Sequence, residues 1–215
     1  MKIAENLKQL KKEIPEKVSL VAVSKTKSAE SIQEAYNAGQ RDFGENKVQE
    51  MVQKWEALPR DIQWHMIGHV QRNKVKYMAP FVHLIHGVDT QKLLLEIEKQ
   101  AAKNDRVINC LLQVHIAEES SKFGFEPNEV AAVLKQNQSL SHVNIIGLMG
   151  MATLTDDKEQ IKREFQQLKS LFDELFASKP NPVLSMGMSG DYPLAIATGS
   201  NMIRVGSLIF GARNY

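Results

Sequence analysis

Val18-Ser19-Leu20-Val21-Ala22-Val23-Ser24-Lys25 is the stretch of this chain that decides its fold. Its apolar run with β-branched valines is typical of a strand buried on both faces, as in a parallel sheet. The strand ends at a lysine, so a cation stands at the carboxyl end of a core strand. Because open α/β sheets and β/α barrels bind ligands at that end, we expect a binding site there.

Lys25 has two interpretations from this stretch alone. Half-buried at a strand end, its ammonium form would lose hydration, and the free amine would become a nucleophile for an aldehyde. Alternatively, its charged head reaches solvent beyond an apolar stem and has no chemical role. The stretch leaves both interpretations open.

Seven further strand patterns follow, and helical patterns or turn signals separate them. They lie at residues 41–46, 62–67, 81–88, 107–116, 143–148, 182–186 and 201–206. Apolar positions recur with helical period at about residues 3–13, 28–39, 46–58, 71–78, 90–101, 127–134, 158–176 and 193–197. Ser28 and either Asp89 or Thr90 are candidate N-caps for two of these helices.

Eight strands alternating with helices predict an α/β fold, a single (β/α)8 TIM barrel. Residues 1–215 are expected to form one domain, because this length suits one barrel. Too few residues follow strand eight for a full final helix. We therefore predict that an extra N-terminal helix fills that place in the outer ring.

Composition limits the possible partners. The formal charge of +2 is too small to favour nucleic acid, and we expect no nucleic-acid partner. Residues 1–12 carry several lysines without an apolar core, and no apolar run reaches spanning length, so neither a secretory signal nor a membrane anchor is expected. One cysteine, Cys110, excludes an internal disulfide and fits a reducing compartment, so we expect a cytoplasmic protein.

The ends of strands seven and eight resemble a phosphate site in composition. Residues 185–191 contain two glycines and Ser189, and Gly206-Ser207 ends strand eight. Loops at these two strand ends commonly bind phosphate in barrels, although a single glycine-serine loop is usually only a turn. Arg204, within strand eight, needs an acceptor, either a ligand or a carboxylate such as Asp191. With the Lys25 amine, this set suits pyridoxal phosphate (PLP).

Several groups of residues carry a family resemblance. They are Val21-Ala22-Val23-Ser24-Lys25, Phe43-Gly44-Glu45-Asn46 with Gln49-Glu50, Trp64-His65-Met66-Ile67-Gly68 with Gln71 and Asn73-Lys74, Gly147-Leu148-Met149, Leu184-Ser185-Met186-Gly187-Met188-Ser189, and Arg204-Val205-Gly206 with Ile209-Phe210-Gly211. From about residue 18 to the end, in order and spacing, the chain resembles the pyridoxal phosphate homeostasis protein family. Those proteins are similar to the amino-terminal barrel of alanine racemase standing alone.

The resemblance implies how PLP would be held. It implies an internal aldimine on Lys25, phosphate contacts from Ser189, Gly206 and Ser207, and Arg204 facing the pyridine nitrogen. Asn46 and His65, at the ends of strands two and three, match positions that line the same pocket.

The function expected on this basis is PLP binding for intracellular vitamin B6 homeostasis, with little or no turnover. A permanent cation beside the ring nitrogen opposes its protonation and makes PLP a poorer electron sink. Racemases that resemble this barrel take a second base, a tyrosine, from another domain. We expect no second domain in this chain to supply one. Apo forms of PLP-dependent enzymes are candidate recipients, and we expect a monomer.

Three alternatives stay open. In the first, the chain is a PLP-dependent racemase or lyase with His65 or Tyr192 as the second base. In the second, it is a barrel hydrolase or phosphosugar enzyme in which Lys25 reacts with a sugar aldehyde. A metal site on His65 and His69 is disfavoured, because the segment reads as strand then turn rather than as a helix, and we expect no metal. Lys122 beside Gly124 is either a pocket-mouth lysine or a surface one.

Overall fold

The computed structural model describes residues 2–119 and 123–211. Lys122 therefore lies outside the described residues. Eight parallel strands form a closed barrel in the order β1 to β8, with β8 pairing back onto β1. The strands are β1 Ser19–Val23, β2 Asp42–Glu45, β3 Gln63–Met66, β4 Leu84–Val88, β5 Ile108–Gln113, β6 Val143–Met149, β7 Val183–Ser185 and β8 Met202–Val205. The predicted (β/α)8 barrel is confirmed.

Helices cover the barrel on its outside. They are α1 Lys2–Glu13, α2 Ala29–Asn37, α3 Val48–Ala57, α4 Val75–Met78, α5 Gln91–Lys103, α6 Val130–Gln136, α7 Lys158–Phe176, α8 Tyr192–Ala197 and α9 Ser207–Phe210. Single 3₁₀ turns, Arg72–Lys74 and Pro127–Glu129, lead into α4 and α6. Ser28 accepts a hydrogen bond from Ser31 N, and Thr90 accepts one from Leu93 N, which confirms both as N-caps. Within the described ranges, no helix is long and apolar enough to span a bilayer.

The N-terminal helix closes the outer ring, as predicted. Leu7 and Leu10 of α1 are buried, and α1 packs against both α2 and α9. Asn6 Nδ2 donates to Ile209 O across 3.1 Å, which ties α1 to the short helix after β8. The sequence analysis did not predict α9, because one turn of helix is too short to show a period.

Two predicted strand bounds were wrong by three residues, and the first strand ends at Val23, two residues before Lys25. Strand four begins at Leu84 rather than at residue 81, because the amides of Phe81 and Val82 both donate to Met78 O and close α4 instead. Strand five ends at Gln113 rather than at residue 116. Beyond it, the chain pairs through Val114 with Phe125, so residues 114–116 belong to the loop.

The inside of the barrel is filled in two ways. One part is an apolar cluster of Val21, Leu84, Leu111, Met149 and Met202. The other part is polar and is held by hydrogen bonds among buried side chains: His65, His86, Ser185 and Arg204. A polar interior of this kind is costly unless each group has a partner, so these residues must act as a connected set.

Candidate functional site

A cavity of about 420 Å³ opens at the carboxyl ends of the strands. It holds six of the seven residues that the sequence analysis assigned to the site: Lys25, Asn46, Ser189, Arg204, Gly206 and Ser207. They come from the loops after β1, β2, β7 and β8 and from β8 itself. Neighbouring parallel strands end on one side of a barrel, so residues far apart in sequence meet there.

Strand alternation explains the position of Lys25. Val21 lies in the barrel interior, Val23 lines the cavity, and Lys25 is the next residue on the same face. The same alternation on β8 places Arg204 and Gly206 in the cavity, and Val21 is paired with Arg204 in the register of β1 and β8. Lys25 is half-buried, as expected at a strand end.

Buried charges fix the turn that carries Lys25. Lys54 of α3 donates to Ser24 O at 2.8 Å, to Glu45 Oε1 at 2.8 Å and to Glu50 Oε1 at 2.6 Å. Ser24 Oγ donates to Glu45 Oε1 at 2.6 Å. Ser24, the residue before Lys25, is therefore held through its backbone by α3 and through its side chain by β2. Sequence analysis quoted Glu45 and Glu50 in its motifs but gave them no role.

Thr26, the residue after Lys25, has a strained backbone conformation. Thr26 has φ +65°, which is the left-handed region that β-branched residues avoid. Its amide donates to Glu50 Oε1 at 2.6 Å, and this bond to a carboxylate holds the turn. Strain of this kind persists only where surrounding contacts determine it, and it clusters at functional sites.

Glu45 has an unusual environment. Its side chain is fully buried, and Oε2 has no hydrogen-bond partner among the described residues. Burial raises the pKa of the Glu45 carboxyl, and the Lys54 ammonium opposes that rise. The ion pair with Lys54 is thus what keeps a carboxylate tolerable at this depth.

Two adjoining loops form the other side of the cavity. Gly206 N donates to Ser189 Oγ at 3.3 Å, which joins the loop after β7 to the end of β8. Lys27 Nζ donates to Phe210 O at 3.2 Å and to Gly211 O at 3.3 Å, so the loop after β1 is tied to α9. The hydroxyls of Ser189 and Ser207 and the open space around Gly190 make this corner suitable for an anion.

Arg204 reaches the cavity from below. Its guanidinium donates to Ser185 Oγ at 2.7 Å and to Gly150 O at 3.1 Å. Burial lowers the pKa of Arg204 to about 10, and the charge of Asp191 acts against that effect, so the side chain stays protonated at neutral pH. The carboxylate suggested by sequence thus acts on Arg204, while the hydrogen bonds that fix its position come from a hydroxyl and a carbonyl.

His65 is the exception among the seven predicted residues. It is fully buried and lies inside the barrel beneath the cavity, where its ring bonds to His86 Nε2 and to Asp42 Oδ1, both at 2.9 Å. The residues of that segment that line the cavity are Ile67, Gly68 and His69. The physical reason is alternation: His65 shares the inward face with His69 but lies four residues deeper.

Two of the cavity residues that were missed as site candidates are His69 and Gln113. His69 Nδ1 bonds to Asp89 Oδ2 at 2.6 Å, and its ring stacks on Phe123 with centroids 4.0 Å apart. Gln113, the last residue of β5, donates to Phe123 O at 2.7 Å. Both follow the pattern of a polar residue at a strand end, which could have found them.

Tyr192, the other suggested second base, points away from the cavity. Its hydroxyl donates to Glu13 Oε2 of α1 at 3.1 Å. Burial and this hydrogen bond raise the pKa of the Tyr192 phenol. Among the described lining residues of the cavity, neither Tyr192 nor His65 occurs.

The residues present fit PLP. The cavity volume lies in the range that small-molecule sites use. One cavity holds an amine, a guanidinium and a corner of hydroxyls and glycines, which match an aldehyde, a pyridine nitrogen and a phosphate. The fit is in the chemistry of the donors.

Residues 1–214 match the family model described as alanine racemase, N-terminal domain. The pyridoxal phosphate homeostasis protein of Pasteurella multocida (strain Pm70) is 40% identical over a 231-residue alignment that covers 100% of this chain and 99% of the relative. That of Schizosaccharomyces pombe (strain 972) is 40% identical, over 91% of this chain and 84% of the relative. This chain belongs to the alanine racemase N-terminal domain family and, within it, to the pyridoxal phosphate homeostasis proteins.

Solved structures agree with this placement. PipY of Synechococcus elongatus PCC7942 was solved without PLP and with PLP bound; the two structures give TM-scores of 0.92 and 0.87 at 39% and 38% identity, each over 97% of this chain and 100% of that chain. An alanine racemase of Clostridium difficile 630 has a TM-score of 0.81 at 12% identity and covers 100% of this chain but 57% of its own. At that identity, the racemase shows a shared barrel fold only.

Proposed function

We propose that this protein binds PLP in the cavity above the barrel, attached covalently to Lys25, and serves PLP homeostasis with little or no catalytic turnover. Support comes from the relatives named for that role, from the PLP-bound PipY structure and from the donor set in the cavity. PLP supplies an aldehyde that reacts with amines and a ring that withdraws electrons.

The residues divide the work of holding the ligand. Lys25 offers its amine from a turn held by Lys54, Glu45 and Glu50. Ser189, Gly206 and Ser207 form the corner that takes the phosphate, and Asn46 lines the same cavity. Arg204 lines the same cavity and would hold the ring nitrogen, where its positive charge would oppose protonation of that nitrogen and weaken the electron sink.

One observation favours holding over turnover. The two side chains considered as a second base are both engaged elsewhere: His65 inside the barrel with His86 and Asp42, and Tyr192 on α1 with Glu13. A racemase needs a proton donor and acceptor on the second face of its substrate, within hydrogen-bond reach. We further propose a cytoplasmic, monomeric protein whose recipients are apo forms of PLP-dependent enzymes.

The test combines a spectrum with an assay. Wild-type protein incubated with PLP and then desalted should keep an absorption band near the visible edge, and Lys25→Ala should lose it. The same wild-type sample, given single amino acids, should show no product by chiral chromatography beyond the rate of free PLP. Steady racemisation or transamination at an ordinary enzymatic rate would contradict the proposal of a holding protein.

A racemase or lyase is the second candidate, and one residue favours it. His69 lines the cavity and is paired with Asp89, so it is the histidine placed to move a proton there. If turnover is found, His69→Gln should abolish it while the absorption band of bound PLP remains. Turnover that survives in His69→Gln would exclude His69 as the base.

A further inference from the structure

Three metal-ligating side chains meet at the amino end of the barrel, away from the cavity. Asp42 begins β2, His65 lies in β3, and His83 stands just before β4. One donor atom from each lies within 4.8 Å of the other two. Because they come from three neighbouring strands, the closed sheet holds their backbones in place.

We propose that Asp42, His65 and His83 form a binding site for a divalent transition metal, with zinc as the metal to test. The ligands are a carboxylate oxygen of Asp42, His65 Nε2 and one imidazole nitrogen of His83. Three protein ligands of these types leave a fourth position to water, as in open zinc sites. This inference is independent of PLP binding, because none of the three residues is among the described lining residues of the cavity.

The position of His65 is a second reason for this assignment. Its Nε2 atom faces Asp42 Oδ1 at 2.9 Å, and its Nδ1 atom faces His86 Nε2 at 2.9 Å. A metal-bound histidine usually donates its other N–H to a further acceptor, which fixes the ring. His86 supplies that acceptor and is itself held by Ser185 Oγ at 3.1 Å.

The site is open to the solvent on one side. The side chain of Asp42 is 32% exposed, against 1% for His65. His83 is exposed as well. A metal ion can thus enter from solvent and meet a buried ligand that is already oriented.

Two cations face the site and set a limit on its affinity. Lys11 of α1 interacts electrostatically with Asp42, and Arg106, which precedes β5, does so with His83. Both oppose a bound cation, so Lys11→Gln should tighten binding. From sequence we expected no metal, because the histidine pair considered was His65 with His69. In the structure the two histidines have different partners: His65 is bonded to Asp42 and His69 to Asp89.

Calorimetric titration of zinc into untagged, metal-stripped protein tests the proposal. We expect one equivalent of zinc to bind to wild type. Its affinity should fall by about 100-fold or more in His83→Ala and in Asp42→Asn, because each variant removes a metal ligand. His86→Gln should weaken binding by about 10- to 100-fold. His142→Ala is the matched control, because His142 pairs with Glu98 elsewhere and should leave the affinity unchanged.

Lys25→Ala separates this inference from the proposed function. In the absence of PLP, which would itself chelate zinc, the Lys25→Ala protein should bind zinc as tightly as wild type. Cobalt in place of zinc should give visible d–d bands that His83→Ala abolishes. Circular dichroism would show whether each variant is folded. Wild type that binds no zinc, or folded His83→Ala and Asp42→Asn proteins that bind it as tightly as wild type, would overturn the proposal.

Discussion

The buried pair of Glu45 and Lys54 holds the turn around Lys25. In Lys54→Met, the Glu45 carboxylate would lose its cation while it remains buried, and Ser24 O would lose a donor. Breaking a buried pair in this way costs about 3–5 kcal/mol, so the free energy of unfolding should fall by that amount. Urea unfolding at neutral pH measures it.

The double variant Glu45→Gln/Lys54→Met is the control. With both charges removed, no uncompensated carboxylate stays at the fully buried Glu45 position, so much of the lost stability should return. Glu50 also loses Lys54, but its side chain is 24% exposed and keeps its bond from Thr26 N. If Lys54→Met alone is as stable as wild type, the network does not hold this turn.

His86 predicts a pH dependence of stability. Burial, with smaller effects of His65, Arg204 and His83, lowers the pKa of His86 well below the ordinary value of 6.5. The unfolded chain therefore takes up a proton below about pH 6.5 that the folded protein does not. Neutral His86 therefore makes its full contribution to the free energy of unfolding above about pH 6.5. That contribution falls as the pH drops, by at most about 1.4 kcal/mol per pH unit.

Urea unfolding of wild type and His86→Gln between pH 7 and pH 5 measures this slope. The variant should lose stability less steeply, because Gln does not titrate. His83, whose pKa burial also lowers, and Glu45, whose pKa burial raises, act equally in both proteins and cancel in the comparison. Equal slopes would mean that His86 does not titrate between the two states.

At the scale of elements, one glycine decides how closely β6 and β7 pack. A Cβ atom on Gly147 would lie 1.8 Å from Val183 O. Gly147→Ala must push the two strands apart, and we expect a loss of about 3 kcal/mol or more in the free energy of unfolding. Gly190→Ala is the matched control, since a Cβ there meets nothing within 4 Å. Equal melting temperatures for the two variants would contradict this packing.

Elements with a strong period could be predicted from sequence, and those set by a single local contact could not. The valine-rich run of β1 and the 19-residue α7 carry their patterns in the chain itself. The late start of β4 depends on two amides that bond to Met78 O, which no apolar pattern encodes.

The same distinction applies to the candidate site. Lys25, Arg204 and the serine-glycine loops lie at strand ends, a position that follows from strand order once the barrel is predicted. The inward position of His65 is different, because it depends on where β3 ends relative to the cavity. His65 is buried beneath the cavity, whereas Ile67, two residues further along the chain, lines it.

At the scale of the whole molecule, a chain of buried polar groups crosses the barrel. Without a bound metal, one set of tautomers satisfies every link: Arg204 donates to Ser185 Oγ, the Ser185 hydroxyl to His86 Nδ1, His86 Nε2–H to His65 Nδ1, and His65 Nε2–H to Asp42 Oδ1. A metal on His65 Nε2 would require the other tautomer of His65, with His86 Nε2 as the acceptor. This series of hydrogen bonds connects the cavity with the opposite mouth of the barrel. Arg204 is therefore positioned by residues that never touch the cavity.

Ser185→Ala tests this connection. It removes the acceptor of Arg204 Nη1 and leaves a buried charged donor unsatisfied, which costs about 1–3 kcal/mol. We expect that loss in urea unfolding together with weaker PLP binding in the absorption titration. Ser19→Ala, on an exposed residue of β1, should change neither. Unchanged PLP affinity in a destabilised Ser185→Ala protein would limit the chain to a structural role.

Borohydride reduction of the PLP-loaded protein, followed by peptide mapping with mass spectrometry, shows which lysine carries PLP. Among the described residues, two lysines, Lys25 and Lys27, line the cavity, so the experiment must separate them. We expect the reduced pyridoxyl group on Lys25, and its absence in Lys25→Ala. A label on Lys27 or on any other lysine, or no label at all, would contradict this expectation.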